Sequence, residues 1–155
     1  YFDEETKTRI SPYIIEPSGG IDRAVLAFLV DAYREEQVRD KKRVVLGLDK
    51  SLAPVKVAVL PLLKSKAEIV KLAKSIAQGL RQSISGKVVY DDTAAIGRLY
   101  RRQDEIGTIF CLTVDVDSLE DKKVTVRERD SMKQIRIEID KLNSYFAEEL
   151  KSGKE

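Results

Sequence analysis

Between Val55 and Leu63 the chain reads VKVAVLPLL, the stretch that most narrows what the sequence can fold into. Apolar residues fall on both sides of its pleat, as in a central strand covered on two faces, and Pro61 ends the regular part. A strand of that kind needs helices above and below it, which points to a layered α/β domain.

The downstream sequence supplies those layers. Ser65-Lys66-Ala67-Glu68 has the form of a capping box, and Ile69, Leu72, Ala73, Ile76, Ala77 and Leu80 follow at helical spacing, predicting an amphipathic helix over 66–83. Gly86 precedes a short strand at 87–90. Asp91-Asp92-Thr93 then caps a helix from about Ala94 to Glu105, stopped by Gly107. TIFCLTVDV (108–116) reads as a second buried strand and KKVTVRERD (122–130) as a half-exposed one. Ser131 and Gln134 suggest another capping box, with Met132, Ile135, Ile139, Leu142, Phe146 and Leu150 as one stripe of a final helix to about Lys151. The order β-α-β-α-β-β-α predicts a three-layer α/β/α domain over 55–155 with a mixed sheet. Right-handed crossovers make its first three strands parallel. The short 116–122 connection makes the fourth antiparallel to its neighbour.

Residues 1–54 form a second unit. The polar stretch 1–11 reads as a frayed end or the remnant of a strand. Tyr13-Ile14-Ile15 has strand character, Pro17-Ser18-Gly19-Gly20 forces a turn, and Ile21, Val25, Leu26, Phe28, Leu29 and Ala32 fit a helix to about Glu36, buried on more than one side. The charge run Arg39–Arg43 reads as a solvated loop, Val44–Leu48 as a short strand and 49–54 as a linker, with the domain boundary between Glu36 and Pro54. Strand, Gly turn and helix place Glu16 and Ser18 at a strand end, let Gly20 bring backbone near a ligand, and set Arg23 where it can meet a phosphate. A plain strand–turn–helix with a solvated Arg accounts for the same residues.

Composition removes several chemistries. The chain has no histidine and one cysteine, so a His general base, a Ser-His-Asp triad, a Cys/His zinc site and an internal disulfide are all excluded. Cys111 lies in an apolar run and reads as core, which fits a reducing compartment. No stretch approaches the ~20 apolar residues of a membrane span. The net charge of +2 decides nothing about nucleic acid. A chain opening on Tyr1 without Met or signal peptide is expected to belong to something longer.

The string IEPSGGIDR (15–23) resembles the third signature motif of class II aminoacyl-tRNA synthetases, in the form IEPS-x-G-x-DR typical of the glycyl-tRNA synthetase family. The resemblance implies that Glu16 and Ser18 face glycine, and that Gly20 and Arg23 face ATP, with Arg23 the catalytic group on the phosphates. A carboxylate suits an ammonium, and a guanidinium stabilises charge building on pyrophosphate. APVKVAVLPL, DDTAAIGRLYRRQDEIGT and VTVRERDSMKQIR resemble, in the same order, the anticodon-binding domain of class IIa synthetases. Two departures are Gly19, where relatives commonly carry another residue, and Ile109, where the family usually has Pro. The family implies ATP-dependent activation of glycine and its transfer to tRNA(Gly), with Mg²⁺ on the phosphates, in a cytoplasmic homodimer of the full-length enzyme. By itself this chain lacks the first two signature motifs and is expected to be inactive and to hold no cofactor. A non-catalytic synthetase-like binding module or accessory subunit is the alternative. A flavodoxin-like nucleotide binder is disfavoured, because neither strand–helix turn in 55–155 carries a Gly-rich phosphate loop.

For the anticodon the expected contacts are Arg127, Arg129 and Arg136, with Lys122 and Lys123 on phosphates. Arg127 and Arg129 alternate along one strand and point to one face, and Arg136 follows on the last helix beside Lys133. Two neighbouring guanidiniums repel unless an anion joins them. RNA phosphates and base edges are such partners, but Asp91, Asp92, Asp104 or Glu105 would serve as well and make the pair structural. Arg98, Arg101 and Arg102 on the short helix form a further basic cluster, readable as solvated surface.

Overall fold

In the computed structural model, which describes residues 1–151, the chain begins with a two-residue hairpin, β1 (Phe2–Asp3) against β2 (Thr8–Arg9). Residues 10–20 follow without regular structure. The strand expected at Tyr13–Ile15 is not formed: these residues pair with nothing described and are 100%, 85% and 91% exposed. Helix α1 (Ile21–Ala32) starts directly after Gly20 as the sequence predicts, but it ends four residues early and is not buried on two sides. Ile21, Val25, Leu26, Phe28 and Leu29 are exposed, and only Ala32 reaches the core, because no other described element covers the helix.

Helix gives way to strand without a linker. Strands β3 (Tyr33–Val38) and β4 (Lys41–Leu46) pair antiparallel, Tyr33 opposite Leu46 and Val38 opposite Lys41, with Arg39 in the left-handed region at φ 54°. The run expected as a solvated loop is therefore the tip of a hairpin and the first half of β4. Pairing with the apolar end of β4 overrides the helical leaning of the polar Tyr33–Gln37 stretch. Gly47 N–H donates to Ala32 O at 2.6 Å and closes the base of the hairpin on the end of α1.

The five-stranded sheet is built on β5 (Val57–Pro61), every residue of which is buried. After it come α2 (Ala67–Ser83), β6 (Val88–Tyr90), α3 (Ile96–Ile106), β7 (Phe110–Val114), the single turn α4 (Ser118–Asp121), β8 (Lys123–Glu128), β9 (Gln134–Glu138) and α5 (Leu142–Glu149). The order across the sheet is β6-β5-β7-β8-β9; β5 runs parallel to both β6 and β7, and β7–β8 and β8–β9 are antiparallel. Helices α2 and α5 cover one face, where Val57, Val59, Phe110, Leu112 and Val126 meet Ile69, Ile76, Leu80, Leu142 and Phe146. Helix α3 covers the other, with Leu99 against Ala58, Leu60 and Cys111. This is the three-layer arrangement with a mixed sheet that the sequence predicts.

The fifth strand is a correction. Residues 134–138 alternate as QIRIE, a period of two that the helical stripe reading overlooked. Ser131 does not cap a helix; its hydroxyl accepts from Lys133 N–H at 3.2 Å inside the β8–β9 turn, with Met132 at φ 56°. Local side-chain bonding of this kind serves turns as readily as helix starts. The other two caps also differ. Lys66 and Ala95 precede α2 and α3, neither with a side-chain cap. Asp91 instead accepts from Thr93 N–H at 3.0 Å, and Arg102 pairs with it at 2.7 Å.

Candidate functional site

Residues expected to act together lie in three places. Glu16, Ser18, Gly20 and Arg23 sit on the exposed segment leading into α1. Arg23 folds back over Gly20, so that a Cβ there would lie 3.6 Å from its side chain. Their order suits an ammonium followed by a phosphate, and all four residues are exposed.

Arg127 and Arg129 occupy the interior. Asp104, 1% exposed near the end of α3, accepts Arg127 Nη1 on Oδ1 at 2.9 Å and Nη2 on Oδ2 at 3.1 Å. The same Oδ2 accepts Arg43 Nε from β4 at 2.8 Å. Arg43 is fully buried, and also donates to Glu36 Oε2 at 2.7 Å and to the Arg129 carbonyl. Burial alone would lower the Arg43 pKa; the bonds and charge of Asp104 and Glu36 outweigh it and hold the guanidinium above its ordinary value. The ring of Tyr100 lies 5.0 Å from the Arg127 guanidinium. Arg129 donates to Gly107 O at 3.0 Å and Leu46 O at 3.3 Å, and grips Asp130, which Arg34 of β3 reaches at 2.6 Å. Of the acidic partners foreseen, Asp104 serves Arg127, while Arg129 takes Asp130 instead. Arg43 was hidden inside a run that looks solvated. Its alternation with the apolar Val45 was the available signal, and both side chains are buried.

Arg136 stands on β9, not on a helix, opposite Thr125. It is about one third exposed and donates to Asp115 at 2.7 Å and Asp121 at 2.8 Å, bonds that raise its pKa. Lys123 opens β8 opposite Glu138, and Lys122 turns outward at φ 54° with Nζ on Leu119 O at 2.9 Å. Lys123, Thr125, Gln134, Arg136 and Glu138 share one face of the β8–β9 ladder. Arg127 shares that face, but α3 covers it. The rest of the strip is a partly exposed polar surface. Arg98 and Arg102 of α3 are exposed as well, but on the flank of that helix away from Tyr100 and Asp104, where Arg102 pairs with Asp91 after β6 at the opposite edge of the sheet. A cleft of about 730 Å³ between the hairpin base, the end of β8 and the end of α5 is charge-balanced, its Arg34, Arg129 and Lys50 paired with Asp130 and Glu149. Among the described residues no group of His, Cys, Asp or Glu is gathered for a metal, and no helix is long and apolar enough to cross a membrane.

Residues 56–149 match the family described as "Anticodon binding domain". The sequence is 56% identical to the glycine–tRNA ligase of Thermobifida fusca, over 97% of this chain and 33% of that protein. The chain thus spans about a third of the length of the curated relatives it matches. In structure it is similar to prolyl-tRNA synthetase from Cryptosporidium parvum, with TM-score 0.62 and 25% identity over 70% of this chain and 24% of that one. The RNA binding domain of threonyl-tRNA synthetase from the same organism gives 0.58 and 27% over 66% and 25%.

Proposed function

We propose that this chain, which belongs to the anticodon binding domain family, is the tRNA-reading portion of a glycine–tRNA ligase. The observation that carries the proposal is the family match over 56–149 joined to a 56% identical ligase relative that aligns with 97% of the chain. Such relatives favour the enzyme reading over an accessory module. Residues 55–155 would bind the anticodon of tRNA(Gly). In the longer protein Glu16 and Ser18 would face glycine, and Gly20 and Arg23 would face ATP with its Mg²⁺. A cytoplasmic homodimer belongs to the same proposal.

The contact surface we favour is the strip of Lys123, Thr125, Gln134 and Arg136. It offers donors, acceptors and half-exposed cations on a sheet face, as single-stranded RNA recognition requires. Arg127 and Arg129 are buried on protein acceptors and closed to RNA, whereas Arg136, though paired with Asp115 and Asp121, stays about one third exposed. The test is binding of anticodon stem-loops with the glycine anticodon and with substituted anticodons at fixed salt. Preference for the glycine anticodon is expected; equal binding of all, or none, overturns the reading.

A further inference from the structure

One carboxylate joins three elements. Asp104 of α3 holds Arg43 of β4 through Oδ2 and Arg127 of β8 through both oxygens, all three side chains being at most 6% exposed. Beside it, Arg34 of β3 and Arg129 after β8 share Asp130. Each pair ties the β3–β4 hairpin to the layer formed by α3 and β8. The hairpin in turn continues α1 without an intervening residue, and Gly47 N–H on Ala32 O fixes the junction. The path from the Glu16–Arg23 segment to the RNA-facing sheet therefore runs through one helix, one hairpin and one buried ion network.

We infer that Arg43 and Asp104 are positioning residues: they set the angle at which α1, with its substrate-facing segment, stands to the anticodon-binding sheet, so that a correctly bound anticodon raises turnover at the distant site. This rests on the proposed function. Burial of charge is a poor way to gain stability, since apolar residues of similar volume often do as well or better. What the forked, fully bonded guanidinium adds is direction: acceptors on β3, on α3 and just after β8 together admit one arrangement. Arg127, packed on Tyr100, brings the other end of the network to the same sheet face as the open strip, directly opposite Gln134.

The experiment uses a glycine–tRNA ligase carrying this sequence, with Arg43→Met and Arg43→Lys as variants. Four quantities are read for tRNA(Gly) and for a transcript with a substituted anticodon: aminoacylation kcat, KM, stem-loop affinity and melting temperature. Glycine-dependent ATP–pyrophosphate exchange is measured beside them. Arg43→Met is expected to reduce the kcat advantage of the cognate anticodon about tenfold, within the usual range of coupling between sites. Stem-loop affinity and the exchange rate should stay within about twofold. Arg43→Lys keeps the charge but loses the fork, and should show the same split more weakly; it is the variant read if the methionine form does not fold. A lowered melting temperature with the kcat advantage intact makes the network a stabiliser only and overturns the inference. So does an equal fall in exchange and aminoacylation. Wild-type protein without exchange or anticodon preference would instead remove the functional reading beneath it.

Discussion

Asp104 and Arg127 form a bidentate pair across 23 residues of sequence, at 2.9 and 3.1 Å, with the carboxylate shielded from water. Because Arg43 uses the same carboxylate, Asp104→Ala leaves two guanidiniums in the interior without their main counter-charge. The expected cost is about 3–5 kcal/mol, read from the denaturant midpoint. A loss under about 1 kcal/mol would mean that the hairpin lifts away and lets water reach both arginines.

Gly107 ends α3 at φ +81°, and a Cβ there would lie 2.7 Å from the carbonyl oxygen of Leu46 in β4. That neighbour is backbone of the hairpin and cannot turn aside. Gly107→Ala should therefore cost about 1–3 kcal/mol from the strained conformation, and more from displacing the hairpin. Amide exchange of Arg43–Leu46 should quicken in the variant before that of β5. Equal protection in variant and wild type would show that the hairpin does not rest on this glycine.

The sequence was legible where periodicity was unambiguous. Val57–Leu60 had to be central, and the short 116–122 connection had to give an antiparallel strand; both hold in the sheet. It misled where polar residues carry tertiary roles. Tyr33–Val38 looks like a fraying helix, and only pairing with β4 makes it a strand. Arg43 looks solvated because nothing local announces Asp104, which lies 61 residues on. Gln134–Glu138 alternates in plain sight, yet a serine and a glutamine spaced like a capping box favoured a helix. The alternation of Arg127 and Arg129 announces a pair needing an anion, and Asp104 and Asp130 supply it.

Carboxylates held by arginines set the response to acid. Burial would raise the Asp115 pKa, but the bonds from Arg136 and Ser118 outweigh it and hold it below the ordinary value. The same holds at Asp130, through Arg129 and Arg34. A carboxyl with a depressed folded pKa stabilises fully above its unfolded value of about 3.9, and this is lost as pH falls through the folded pKa. Asp115→Asn should thus be less stable than wild type at pH 7, with the gap closing below about pH 4. A constant gap in denaturant midpoints between neutral and acid pH would assign the effect to packing.

Cys111 faces α3 from β7, 1% exposed, and burial pushes its thiol up to about 12. The thiolate is the reactive form, so iodoacetamide at neutral pH should label the folded chain only as fast as it opens. Adding denaturant should raise the rate steeply across the unfolding transition. Rapid labelling without denaturant would mean that α3 opens on its own, with Asp104 and both of its arginines exposed.

Arg127 and Arg136 share a face of the β8–β9 ladder but differ in access, 5% against about one third. If the strip reads RNA, the two should separate under mutation. Arg127→Met removes a buried pair and leaves Arg43 on Asp104, so melting should drop while preference among anticodon stem-loops persists. Arg136→Gln keeps a donor but loses charge and fork, and should weaken the glycine-anticodon stem-loop by about 1–3 kcal/mol and relax discrimination. Lys122→Ala, at an exposed turn, should weaken all stem-loops alike and reduce the salt slope by about 1. The measurement is stem-loop affinity at several salt concentrations beside melting temperature for all three variants. Loss of preference in Arg127→Met with preference kept in Arg136→Gln would put the buried arginine in the reading role, requiring α3 to shift when RNA binds.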